Sequence, residues 1–194
     1  MTSTREDVVI TSSYLEGNEP FRSERYHVQG IECKREHGEF NYCHGLQEVW
    51  WPAEKTIINI EQDMECSDEL IDGLLSCPHP LCAYAYLVYP TQLHRYIYCA
   101  TSRQVDHNNP AKSNVYWLNK GEEWAVWSSI GFCKIDPIAR VKPLDRLYWQ
   151  WLEHSVNRIV GTYQHAGGAG FEWHIHWPEV EHYHDYKRIP DHLW

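Results

Sequence analysis

Imidazoles crowd one end of the chain. The stretch FEWHIHWPEVEHYHDYKRIPDHLW, residues 171–194, carries five of the thirteen histidines. On an extended strand the side chains alternate, so Glu172, His174 and His176 share one face while Phe171, Trp173, Ile175 and Trp177 share the other. One carboxylate and two imidazoles on a face can chelate zinc or another divalent metal and leave positions open for water. Glu181, His182, His184 and Asp185 can add ligands or a general base, and with Glu181, His184 or Asp185 assisting a bound water the chemistry would be metal-dependent hydrolysis. A plain half-buried strand demands the same alternation, with Glu-x-His-x-His as its wet side.

Sulfur offers a second set of ligands. Cys33, His37, Cys43 and His44, together with Cys77, His79 and Cys82, are soft donors at short spacing that can fill a tetrahedral zinc site. Neither stretch has the paired Cys-x-x-Cys form, and cysteines buried as small apolar residues account for the same letters. The sequence contains no Gly-x-Ser-x-Gly elbow, no glycine-rich phosphate loop ending in Gly-Lys-Ser/Thr and no His-Glu-x-x-His.

Carboxylates concentrate in EQDMECSDELID, residues 61–72. Glu61, Asp63, Glu65, Asp68, Glu69 and Asp72 lie there with no basic residue between them, in a chain of net charge −10. Such a ridge can meet a basic surface on a protein partner, even one that normally holds nucleic acid. The same letters suit the first turn of a helix. Aromatic and basic residues adjoin in RYIYC (95–99) and DRLYWQW (145–151), a pairing able to stack bases. The overall negative charge disfavours direct nucleic-acid binding.

These groups need elements to hold them. Runs rich in Val, Ile, Tyr and Trp between turn formers predict strands over residues 8–14, 26–33, 46–51, 56–61, 82–89, 94–101, 115–119 and 124–128. Pro90-Thr91 and Asn119-Lys120-Gly121 read as hairpin turns. A short helix is expected over 67–75, with Ser67 as N-cap and Asp68 and Glu69 in its first turn. A longer one is expected over 143–163, begun by Pro143 and stopped by Gly167-Gly168. The fold class these imply is α+β: a mainly antiparallel β-sheet packed against one long C-terminal helix and one short helix.

The 194 residues suit a single domain, 1–194, with 178–194 as an irregular C-terminal tail packed on it. The opening MTSTRED lacks a basic-then-apolar leader and the seven cysteines are odd in number, which fits a cytoplasmic protein with reduced thiols. Residues 73–94 are free of Asp, Glu, Lys and Arg, but Pro78, Pro80 and Pro90 break them, so no membrane helix is expected. Ten Trp and thirteen Tyr supply the residue types that anchor interfaces. The balance leans away from an enzyme and toward an acidic interaction protein, an inhibitor or accessory factor binding a basic surface. A metal-dependent hydrolase using Glu172, His174 and His176 is the alternative.

Overall fold

The computed structural model of the chain describes residues 7–33, 48–50, 54–89, 93, 95–104, 114–139 and 172–183. Twelve strands are described: β1 (Val8–Leu15), β2 (Val28–Cys33), β3 (Thr56–Glu61), β4 (Leu81–Tyr84), β5 (Leu87–Val88), β6 (Ile97–Tyr98), β7 (Ala100–Gln104), β8 (Asn114–Trp117), β9 (Trp124–Ala125), β10 (Trp127–Ser128), β11 (Phe132–Ile135) and β12 (Trp173–His176). Helix α1 (Asp68–Ser76) lies between β3 and β4, residues 48–50 are also helical, and Pro137–Ala139 form a 3-10 turn.

Seven strands form one sheet in the order β2-β1-β3-β11-β4-β12-β9; β10-β7-β8 and β5-β6 form two smaller ones. In the large sheet β1 runs parallel to both β2 and β3, and β12 runs parallel to β4, while β11 and β9 run antiparallel to their neighbours. The carboxyl ends of β1, β2, β3, β4 and β12 therefore share one edge. Strand order reverses at β1: the chain leaves it to lay β2 on one side and then returns to lay β3 on the other.

A strand flanked on both faces reads as a continuous apolar run, and TIINIE in β3 does so. Ile57 joins Leu81, Ala83, Cys133, Ile135, Trp173 and Ile175 on one face. Ile58 and Ile60 join Cys82, Tyr84 and Phe132 on the other, where α1 adds Ile71 and Leu74. Ser67 caps α1 as expected, its hydroxyl accepting from Leu70 N at 3.3 Å, and the cap Cys77 donates its N–H to Leu74 O. Pro78 and Pro80 forbid further helix and send the chain into β4.

This architecture corrects the α+β expectation. The large sheet is mixed rather than mainly antiparallel, the molecule is β-rich, and among the described residues no helix is longer than α1. The small sheet contributes Ala100 to one face of the core, where Leu118 and Ala125 join it. That expected helix, over 143–163, lies outside the described residues. Residues 48–50 are helical where a strand was expected. The Asn119-Lys120-Gly121 turn forms, with Gly121 at φ +87° and Glu122 N donating to Asn119 O, yet it joins no hairpin. β8 pairs with β7 and β9 pairs with β12. Direction is the property the letters hide, since β-branched residues suit parallel and antiparallel strands equally. No helix among the described residues is long and apolar enough to cross a membrane.

Candidate metal centres

Among the described residues, two clusters of ligand-type side chains form on this scaffold. In each, the ligand atoms lie within 4.8 Å of one another.

The first sits at the shared carboxyl edge. β3 ends in Glu61, whose N–H donates to Gly131 O at 2.7 Å, and Gln62 N donates to Ser13 O at the end of β1. The chain then turns, with Met64 N donating to Glu61 O, which brings the Asp63 carboxylate back beside Glu61. A bridge between Met64 and His182 and a hydrogen bond from Tyr183 N to Asp63 O at 2.5 Å dock the 180–183 segment against this turn. His182 Nε2 lies 3.2 Å from Asp63 Oδ2, and its ring packs on Tyr86 at 5.1 Å. Burial holds the Tyr86 phenol well above its usual range, so it stays protonated. Gly131 is needed here: a Cβ would stand 2.7 Å from the Tyr86 hydroxyl and 3.1 Å from Glu61 Oε2. Two carboxylates and one imidazole suit a hard or borderline divalent ion and leave its remaining positions for water or phosphate oxygens.

The second cluster is Cys77, Cys82, His174 and His176, on the α1 face of the sheet. Parallel pairing of β12 with β4 sets His174 opposite Cys82 and His176 opposite Tyr84, and strand alternation sends Trp173 and Ile175 to the other face. The turn of 77–82 returns Cys77 to the same place. Its Sγ is 3.4 Å from His174 Nδ1, and the two imidazoles pack at 4.8 Å. His79 and Trp124 wall the outside, each about 5 Å from His174 at 4.5 and 5.1 Å between ring centres. Hydrogen bonding from the Cys82 thiol pulls the Cys77 thiol far below its usual range, and that same bond with burial pushes Cys82 up, so the pair favours one thiolate and one thiol. His176 Nε2 is buried with no hydrogen-bond partner. Lys134, itself buried, donates to Cys77 O at 2.7 Å.

The residues expected from sequence are thus redistributed. His174 and His176 do share a face, but they meet two cysteines, and Glu172 is exposed. His182 belongs with Glu61 and Asp63. His184, Asp185, His37, Cys43 and His44 lie outside the described residues, as do Phe171 and residues 145–151; of Cys33 only the backbone is described. Trp173 and Ile175 are buried, and Trp177 is half-buried. The acidic stretch is divided. Glu61 and Asp63 turn toward His182, and Glu65 accepts from Glu181 N at 3.0 Å. Asp68, Glu69 and Asp72 converge on Arg25 at 3.2, 3.2 and 2.9 Å. The acidic pair directly after a β-branched strand was the signal for the first cluster. For the second, each half was legible as a donor pair but nothing joined them, because the two halves lie about a hundred positions apart in sequence and meet only through the β4–β12 pairing.

A separate open groove of about 840 Å³ is lined by Arg95, Tyr96, Tyr116, Trp117 and Lys120; within RYIYC, Arg95 and Tyr96 are exposed while Ile97 is buried.

No family model matches this chain, and no curated protein matches it. Among solved structures, it is similar to the crystal structure of A197 from STIV, with 11% sequence identity and a TM-score of 0.43 over 78% of this chain and 76% of that one.

Proposed function

We propose that this chain is a divalent-metal-dependent enzyme acting on a phosphate-bearing substrate, with the ion held by Glu61, Asp63 and His182. One observation carries the reading: these three side chains converge at the carboxyl edge of β1 and β3, the point where strand order reverses. In open sheets with parallel strands, ligands settle outside the carboxyl ends at such a reversal. A chain of net charge −10 also repels a phosphate unless a cation stands between them. Bound there, the cation would neutralise phosphate oxygens and steady a leaving group, in transfer or hydrolysis.

Docking of a basic protein onto 61–72 draws on the same carboxylates. It is the weaker reading because Arg25 already engages Asp68, Glu69 and Asp72. The cytoplasm is the proposed setting, supported by Cys66, Cys77, Cys82, Cys99 and Cys133 standing as thiols.

The test is titration of Mn²⁺, alone and with a panel of nucleoside diphosphates, followed by electron paramagnetic resonance. Stoichiometric Mn²⁺ binding tightened by a diphosphate is expected, and Asp63→Asn or Glu61→Gln should weaken it by at least about tenfold. Binding that neither variant changes would sink the proposal.

A further inference from the structure

We propose that Cys77, Cys82, His174 and His176 form a zinc site that ties the end of α1 to β4 and β12. Ligand chemistry comes first: two sulfurs and two imidazole nitrogens are the donor set of closed, four-coordinate structural zinc, and Cys77 and Cys82 stand at a Cys-x4-Cys spacing. Two thiolates cancel the charge of one Zn²⁺, so the filled site is neutral where it is buried.

The geometry is close to what the metal requires. A tetrahedron with bonds of about 2.0–2.3 Å sets its ligand atoms roughly 3.3–3.8 Å apart. Cys77 Sγ and His174 Nδ1 are already 3.4 Å apart, and the full set lies within 4.8 Å, so side-chain movements of about an ångström close it. An independent sign is the buried His176 Nε2 without a hydrogen-bond partner, since a buried polar nitrogen left this way is costly unless something binds it. The scaffold is stiff. Pro78 and Pro80 hold the turn between the cysteines, Lys134 anchors the Cys77 carbonyl, and parallel pairing fixes the His174–Cys82 register. His79 and Trp124 pack their rings on His174, and four protein ligands leave a tetrahedral ion no open position, which marks the role as structural.

This site shares no ligand with Glu61, Asp63 and His182, and its test reads sulfur. Tag-free, reduced protein is expected to hold about one zinc per chain by elemental analysis. Replacing zinc with Co²⁺ should give thiolate-to-cobalt charge-transfer bands and the strong visible bands of a tetrahedral ion. Cys82→Ser and His176→Ala should each lose that spectrum, while Asp63→Asn should keep it. If those variants do not fold, alkylation of the unaltered protein decides: zinc should protect the peptides bearing Cys77 and Cys82 at least about tenfold against modification. Zinc below about a tenth per chain with no sulfur bands from cobalt overturns the proposal. So does alkylation of both cysteines at the same rate with and without zinc.

Discussion

Asn59 is polar and fully buried in the middle of β3, and its amide bonds to three buried groups. Its Nδ2 donates to Ile130 O at 2.9 Å, while Oδ1 accepts from the Thr11 hydroxyl at 2.9 Å and the Ser13 hydroxyl at 3.2 Å. Asn59 therefore stitches β3 to β1 and to the loop before β11, beneath the turn that carries Glu61 and Asp63. Asn59→Ala removes three buried hydrogen bonds and opens a small cavity; the Thr11 hydroxyl keeps Ile58 O at 3.3 Å and Ile130 O keeps the Cys133 thiol at 3.5 Å, so the change should cost about 1–3 kcal/mol. Urea unfolding checks this; a loss under about 0.5 kcal/mol would show that those groups find other partners. The sequence hides the role, because TIINIE reads as an apolar strand with one polar letter and both hydroxyl partners lie more than 40 positions away. His174 and His176 were the reverse case. Strand alternation showed that they share a face, but a face says nothing about what another strand places opposite.

Helix α1 joins the two candidate centres: it begins shortly after Asp63 and ends at Cys77. Its boundaries were readable from local chemistry, namely the Ser67 cap, acids in the first turn and prolines past the end. Its packing was not. Gly73 is pressed onto Tyr84 of β4, so closely that a Cβ would overlap the phenol oxygen, and that hydroxyl donates to Leu70 O at 3.0 Å. In an exposed helix, glycine to alanine gains up to about 1 kcal/mol. Here the sign reverses: Gly73→Ala must expel the hydroxyl and should cost about 1–2 kcal/mol. Gly73→Ala combined with Tyr84→Phe should recover most of the loss, since Phe removes the overlapping atom. A double-mutant cycle by thermal unfolding reads it, and strictly additive effects would contradict the contact. Strand positions show the same division between local and distant information. β3 falls at 56–61 as its letters predict, whereas β11, short and bearing the buried Lys134, gave no readable period of its own.

At the scale of the molecule, both centres draw their ligands from the same two pieces of chain. One runs from Glu61 through α1 to Cys82, the other from His174 to His182. The second piece is fastened along its length: Ala85 N donates to His176 O at 3.2 Å, Val180 N donates to Ala85 O at 2.8 Å, and Glu179 accepts from the Tyr98 hydroxyl at 2.6 Å. An ion in the sulfur site fixes the start of that piece against the end of α1, which leaves less freedom to remove when His182 closes on a second ion beside Asp63. Ordering paid at one site is not paid again at the other, so binding should be positively coupled. A coupling on the order of 1 kcal/mol corresponds to about fivefold in affinity. Mn²⁺ should therefore bind at least about fivefold more tightly to zinc-loaded than to zinc-stripped protein, and zinc should gain by the same factor when Mn²⁺ is present, as linkage requires. Mn²⁺ titration of the two forms, read by electron paramagnetic resonance, measures the factor. Equal affinities would mean that the segment from β12 to His182 is rigid without zinc, and that the two centres share a chain without sharing a free energy.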